Sequence, residues 1–110
     1  VPSRIDVDHV VPLKWAFEHG GSRWTKDQRR AYANHLGYPN HLLAVSASLN
    51  RAKGAKGPAA WAPPEPAARC DYAHWWAAIL LTWRLSPGEE DRQALVAMLA
   101  TCPSRSWARP

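Results

Sequence analysis

Asp8 and His9 stand side by side near the start of the chain and carry side chains suited to hydrolytic chemistry. A carboxylate is a preferred ligand of hard divalent cations, and an imidazole is largely neutral, and therefore basic, near pH 7. Hydrolysis of a phosphodiester needs both functions, because a base must deprotonate water and a cation must neutralise charge on the phosphate. An Asp-His pair alone is common, so further residues must support this interpretation.

Asn50 offers a third group for the same site. Its amide oxygen is an uncharged ligand, and a cation held only by Asp8 and Asn50 would keep water and phosphate oxygens as most of its ligands. Such sparse ligation by protein is typical of magnesium. We therefore predict one Mg²⁺ or Mn²⁺ on Asp8 and Asn50, with His9 as the general base.

The segments that carry these residues predict a strand, a long connection, a second strand and a helix. Residues 5–11 alternate apolar and polar side chains and are rich in β-branched types, which predicts a short strand. Adjacent strand residues point to opposite sides, so Asp8 and His9 reach one substrate only if the strand ends at His9. Residues 42–45 predict the second strand, and Asn50 falls on the helix after it.

Further helices are indicated in the connection and in the second half of the chain. A capping box from Thr25 to Gln28 predicts a helix that runs to about residue 36, and Pro12 begins a shorter helix or ordered loop before it. A broad apolar stripe over residues 72–83 predicts a core helix. Residues 86–89 combine a serine cap, a proline and a glutamate, which predicts a last helix starting there and ending near residue 102.

The chain has two cysteines, Cys70 and Cys102, and their spacing matches no zinc motif. They flank the two predicted C-terminal helices, and antiparallel packing of those helices would bring the outer ends together. We therefore predict a disulfide, which favours an oxidising, extracellular compartment. The alternative is two buried free thiols in a cytosolic enzyme.

The net charge of +5 lies wholly in the first half of the chain. Residues 1–57 carry nine Lys and Arg against four Asp and Glu, whereas residues 58–110 carry five of each. A basic half of this kind would face a polyanion. Phosphate contacts are predicted for four cations, Lys53, Arg51, Lys56 and Arg30. The alternative for each is an ordinary solvated surface charge. Arg29 belongs to the same basic stretch as Arg30.

Most tryptophans are predicted to pack in the core, and Trp24 is the best candidate among them for a substrate contact.

Three separated motifs resemble the HNH nucleases, whose ββα-metal fold binds one cation. They are residues 8–12 (DHVVP), 41–45 (HLLAV) and 50–54 (NRAKG). In particular, the chain resembles a branch common among secreted actinobacterial proteins and related to the nuclease domain of GmrSD-type restriction enzymes. The resemblance continues through residues 57–61, the two prolines at 63–64, Cys70 and Cys102, so it covers nearly the whole chain.

The resemblance implies that His9 is the general base and that Asp8 and Asn50 hold the metal. One position departs from the family pattern, which usually has an asparagine where this chain has His41. Either His41 does the same work as a donor, which we favour, or Asn40 substitutes through a shift of one residue. The family's members also carry sequence upstream of the Asp-His motif, so whether this stretch is active alone stays open.

Together these observations predict a mostly helical α+β fold with a ββα-metal core and a C-terminal antiparallel helix pair. A single domain is expected, with the core and its inserted helix in residues 1–57, a Pro-rich connector and helical hairpin in 58–102, and a tail in 103–110. No apolar run approaches the roughly 18 residues that span a bilayer.

The function predicted is a monomeric endonuclease that cuts DNA, or alternatively RNA, with little sequence preference. The resemblance to HNH nucleases implies products with 5′-phosphate ends. We expect it to be secreted or delivered outside a bacterial cell, with any targeting segment upstream of Val1. It could be a toxin domain paired with an inhibitory immunity protein. A different class of function is a non-catalytic, disulfide-stapled module that only binds nucleic acid.

Overall fold

The computed structural model describes residues 4–103 and has a two-stranded antiparallel sheet as the centre of its first half. Strand β1 (Ile5–His9) pairs with strand β2 (Leu42–Ser46), and the register sets Ile5 opposite Ser46 and His9 opposite Leu42. Five helices accompany the sheet, which confirms the predicted α+β class. They are α1 (Leu13–Glu18), α2 (Lys26–Ala33), α3 (Ala47–Lys53), α4 (Arg69–Trp83) and α5 (Glu89–Leu99).

Helix α2 begins at the predicted capping box but ends earlier than predicted. The Thr25 hydroxyl accepts from the Gln28 backbone N–H, and the Gln28 side chain accepts from the Thr25 backbone N–H. At the other end, both the backbone N–H and the side-chain amide of Asn34 donate to the Arg30 carbonyl. Asn34 thereby caps the helix after Ala33, so the predicted end near residue 36 is corrected.

Helix α3 carries the predicted metal-binding asparagine and has well-defined ends. The Ser46 hydroxyl accepts from the Leu49 backbone N–H at the start of the helix. Gly54 ends it with a positive φ of 52°, a conformation that glycine adopts without the steric cost of a Cβ atom. The segment from β2 through Gly54 therefore forms a tight strand-to-helix unit that presents Asn50 and Lys53.

The last helix begins at Glu89, whereas the sequence predicts its start at the Ser86 cap and Pro87. The Ser86 backbone N–H donates to the carbonyl of His19, 2.9 Å away, so this connection is tied to the end of α1. Gly88 is the N-terminal cap and has extended backbone angles. The helix therefore starts two residues later than the sequence predicts.

The core forms where α1 and α2 pack against the helical hairpin of α4 and α5. Trp15 and Trp76 are both fully buried and meet edge to face, with ring centroids 4.8 Å apart. The Trp15 indole N–H donates to Asp91, which joins α1 to α5. Trp61, Trp75 and Trp83 are partly buried and pack on the same core, as Trp24 does. Packing is therefore confirmed for most tryptophans of residues 4–103, and a substrate contact of Trp24 stays a prediction.

A disulfide joins Cys70, at the start of α4, to Cys102, in the turn after α5. Antiparallel packing of α4 and α5 brings these outer ends together, and the predicted bridge is confirmed. Among residues 4–103 no helix is long and apolar enough to cross a membrane.

Candidate active site

Two side-chain pairs join β1 to α3. The Asn50 amide nitrogen donates to the Asp6 carboxylate at 3.1 Å, and the Lys53 ammonium lies 3.1 Å from both oxygens of Asp8. Residues two apart on a strand share one face, as do residues three apart on a helix. Asp6 and Asp8 on one face of the strand therefore contact Asn50 and Lys53, respectively, on one face of the helix.

Lys53 lies inside the protein, where the sequence prediction had placed it against a substrate phosphate. It is 3% exposed, and its ammonium donates to Asp8 and to the backbone carbonyl of His9, 2.8 Å away. Burial lowers the pKa of Lys53, an effect that Asp8 opposes, and burial raises the pKa of Asp8, an effect that Lys53 opposes. This placement corrects the prediction, because the acceptors that the Lys53 ammonium contacts, the Asp8 carboxylate and the His9 carbonyl, belong to the protein itself.

His9 ends strand β1 and is held by the C-terminus of α2. Its Nε2 lies 2.8 Å from the Ala33 carbonyl oxygen, and because a carbonyl can only accept, Nε2 must carry the hydrogen. In the neutral ring Nδ1 then holds the free lone pair. The half-buried imidazole is thus fixed in one tautomer, with the nitrogen that can accept a proton left free.

His41 is held in the same way by the preceding carbonyl of α2. Its Nε2 donates to the Tyr32 carbonyl at 2.7 Å, and its own backbone carbonyl accepts from Val10, the residue after His9. The last carbonyls of a helix have no partner within the helix, so the two imidazoles satisfy two of them. Helix α2 thereby positions both histidines, with ring centroids 6.2 Å apart.

The structure distinguishes His41 from Asn40 by their contacts. His41 is 1% exposed, and burial lowers its pKa while its bond to the Tyr32 carbonyl opposes that shift. Asn40 is half-buried, and its side chain makes no hydrogen bond to the residues described. His41 thus holds the residue that follows His9 and the Tyr32 carbonyl of α2, whereas its ring is almost completely buried.

Asp8, His9 and Asn50 line one shallow cavity of about 250 Å³. Pro12 and Lys14 complete its wall on the side of α1, and Gly54 does so on the side of α3. The three residues that the sequence predicts to act together are therefore neighbours, although they come from two different elements.

The oxygen atoms at this cavity suit a hard divalent cation. Because the Asn50 amide nitrogen is engaged by Asp6, its amide oxygen is left as a free acceptor. An ionised carboxylate has about four lone-pair sites, and the Lys53 ammonium leaves some of those on Asp8 unused. A set of carboxylate and amide oxygens with room for water matches the ligand preference of Mg²⁺ and Mn²⁺.

Asp6 is the site residue that the sequence prediction missed. The signal was its spacing of two from Asp8, which sets both carboxylates on one face of a strand. Only the pairing with Asn50 shows what that face does.

The predicted phosphate-binding cations on the surface are Arg51, Lys56 and Arg30, and all three are exposed. Lys56 donates to the Ala52 carbonyl, and Arg30 forms an ion pair with Asp27 at 3.3 Å. Exposed contacts of this kind contribute little free energy and break readily. Binding of nucleic acid by these three cations stays a prediction.

One group of potential ligands lies away from this cavity, on the helical hairpin. Donor atoms of Cys70, His74 and Cys102 fall within 4.8 Å of one another. Both sulfurs are joined in the disulfide, so neither is available as the thiolate that a metal needs.

Comparison with known proteins identifies relatives across nearly the whole chain. The family described as GmrSD restriction endonucleases, C-terminal domain, matches residues 2–98. An uncharacterized secreted protein of the fungus Arthroderma benhamiae is 41% identical over 100 residues, which cover 91% of this chain and 48% of that protein. The chain thus spans about half the length of that relative, which is fungal rather than actinobacterial. No solved structure gives a significant match.

Proposed function

Because this chain belongs to the family of GmrSD restriction endonuclease C-terminal domains, we propose that it is a metal-dependent endonuclease that hydrolyses phosphodiester bonds of DNA. The observation that supports this most is the convergence of Asp8, His9 and Asn50 on one open cavity. The cavity is shallow and accessible from solvent, so a backbone phosphate can enter it without a change of fold.

His9 acts as the general base in this proposal. The Nε2–H group donates to the Ala33 carbonyl, so Nδ1 is the nitrogen that would take a proton from the attacking water. Asp8 and Asn50 would hold one Mg²⁺ or Mn²⁺, which when bound neutralises charge on the phosphate and the leaving oxygen.

Asp6 and Lys53 act on the metal-binding residues and do not touch substrate. Asp6 holds the amide nitrogen of Asn50, so the amide oxygen is the atom left for the cation. Lys53 holds the Asp8 carboxylate and the backbone of His9 together. Such supporting contacts fix the direction of a ligand and are needed for its affinity.

Nicking of supercoiled plasmid tests the proposal directly. We expect cleavage with Mg²⁺ or Mn²⁺ and none in EDTA. His9→Ala should lose about 10²- to 10⁴-fold in rate, the usual contribution of a general base, while melting temperature and DNA affinity are kept. His74→Ala removes an exposed histidine of α4 and serves as the matched control. Undiminished nicking in EDTA, or by His9→Ala, would reject the mechanism.

A non-catalytic nucleic-acid-binding module is the second candidate, favoured by the basic first half of the chain. The same assay separates the two, because a binder retards the plasmid in the gel without nicking it. The disulfide and the secreted relative are consistent with an extracellular location. Within the proposal, delivery from a bacterial cell as a toxin domain would be supported by capture of a small inhibitory protein.

A further inference from the structure

A second cavity, of about 330 Å³, lies between α1 and α2, and we call it the α1–α2 pocket. Its wall is largely apolar and includes Leu13, Phe17 and Trp24. Two cations, Lys14 and Arg29, stand at its edge. Its volume is at the lower end of the range for small-molecule sites, about 300 to 1,000 Å³.

The α1–α2 pocket adjoins the candidate active site. Leu13 and Lys14 line both the pocket and the cavity that contains Asp8 and His9. Ala33, whose carbonyl fixes the His9 ring, forms part of the pocket wall. A nucleic-acid strand with one phosphate at His9 would therefore bring its next nucleotide to this pocket.

Two apolar residues on the wall of this pocket are partly exposed to solvent. Leu13 and Phe17 are 46% and 47% exposed, and their spacing of four sets them on one face of α1. The Arg29 guanidinium lies 5.8 Å from the centre of the Phe17 ring. An aromatic face beside cations is the combination by which proteins bind a base and its flanking phosphates.

Beyond Trp24 the surface continues into a larger cavity of about 690 Å³. Trp24 lines both cavities, and Arg23 and Arg84 line the larger one. Its lining also includes Glu18, so two cations stand against one carboxylate there. With Lys14 on the side of the active site, positive charge is available to a nucleic-acid backbone on both sides of the α1–α2 pocket.

We propose that the α1–α2 pocket binds one unpaired nucleobase of the substrate, adjacent to the phosphate at Asp8 and His9. The base would lie against Phe17, and Lys14 and Arg29 would hold the backbone on either side. A paired base must first leave the stack of its duplex, which costs a few kcal/mol, whereas an unpaired base enters without that cost. The chain should consequently prefer single-stranded or frayed nucleic acid. This inference rests on the proposed function only for the position of the scissile phosphate.

The test compares two ligands with the same number of phosphates: a fluorescein-labelled thymidine octamer and a matched octamer of abasic residues. Their binding is measured by fluorescence anisotropy in EDTA, so that no cleavage occurs. Wild-type protein should bind the thymidine octamer at least about fivefold more tightly, the lower bound for stacking of one base. Phe17→Ala and Leu13→Ala should lose this preference while keeping their affinity for the abasic octamer.

Val96→Ala is the matched control, because Val96 is an apolar residue of α5, 55% exposed and outside the pocket. It should keep the full preference for bases. Melting curves check that each variant is folded, and Phe17→Leu, which keeps an apolar side chain but removes the ring, repeats the test if Phe17→Ala unfolds. Equal binding of both octamers by wild-type protein, or equal loss for both ligands in Phe17→Ala, would overturn the inference.

His9→Ala separates this inference from the proposed function. The variant should still prefer the thymidine octamer, because the pocket does not depend on catalysis. A protein that prefers bases but never nicks plasmid would contradict the endonuclease proposal alone. A protein that nicks but binds both octamers equally would contradict the base pocket alone.

Discussion

Replacement of Lys53 by methionine distinguishes the buried ion pair from a phosphate contact. The side chains of Lys53 and Asp8 are 3% and 10% exposed, so Lys53→Met would leave a carboxylate uncompensated in the interior. Removal of one partner of such a pair costs about 3 to 5 kcal/mol. Because a domain of this kind is stable by about 5 to 15 kcal/mol, the loss would be a large share of the total.

Urea denaturation measures this loss, and a double-mutant cycle assigns it to the pair. Asp8→Asn should destabilise the protein as well, but the double variant should be more stable than the sum of the single losses predicts, since no unpaired charge is left. Lys56→Met, on the exposed turn after α3, is the control and should change the free energy of unfolding by less than about 0.5 kcal/mol.

The salt dependence of DNA binding supplies the opposing test. A lysine on a phosphate contributes close to one unit to the slope of log affinity against log salt concentration. We expect Lys53→Met, measured in EDTA and at a temperature where it is folded, to keep the wild-type slope. A slope reduced by about one, together with unchanged stability, would show that Lys53 contacts nucleic acid and would refute the buried pair.

Three further predictions concern the disulfide, the buried histidine and Asp6. Replacing Cys70 and Cys102 by serine should lower the free energy of unfolding by about 3.7 kcal/mol, the loop-closure value for a separation of 32 residues. The melting temperature should fall by about 15 °C, whereas the nicking rate per folded molecule should not change. A fall of the melting temperature by less than a few degrees would contradict this prediction. Burial lowers the pKa of His41, so its contribution to stability is complete above the ordinary histidine pKa of about 6.5 and is lost as pH falls through the folded value. Unfolding between pH 7.5 and 5 should therefore show a loss that His41→Gln reduces, and an identical pH profile in the variant would exclude this origin. Asp6→Ala should raise the Mg²⁺ concentration for half-maximal nicking about 10- to 100-fold, because Asn50 loses the acceptor that orients its amide, whereas the exposed control Asp27→Ala should leave it unchanged.

Most elements were predictable because their signals are local. Alternating side chains define β1, the box from Thr25 to Gln28 starts α2, and an apolar stripe marks α4. The ends of elements were less predictable, because they depend on contacts with distant residues. The end of α2 is one such case, because Asn34 caps the helix after Ala33 and its last carbonyls bond to His9 and His41.

The candidate site shows the same division. The spacing of Asp8, His9 and Asn50 is visible in the sequence, and so is the presence of basic residues around Asn50. No local signal says that Lys53 turns inward, because helical spacing places Asn50 and Lys53 on one face without showing what that face meets. The packing of α3 against β1 decided that it meets Asp6 and Asp8.

Residue types and spacing show which groups could do chemistry: a carboxylate, an imidazole and an amide on segments that become a strand and a helix. The tautomer of His9, the partner of Lys53 and the α1–α2 pocket depend on the folded chain. The difference lies in the distance along the chain over which each effect acts. Propensity, capping and periodicity act over a few neighbouring residues, whereas a hydrogen bond from His9 to Ala33 or a cavity between Phe17 and Arg29 exists only once packing has brought distant backbone together.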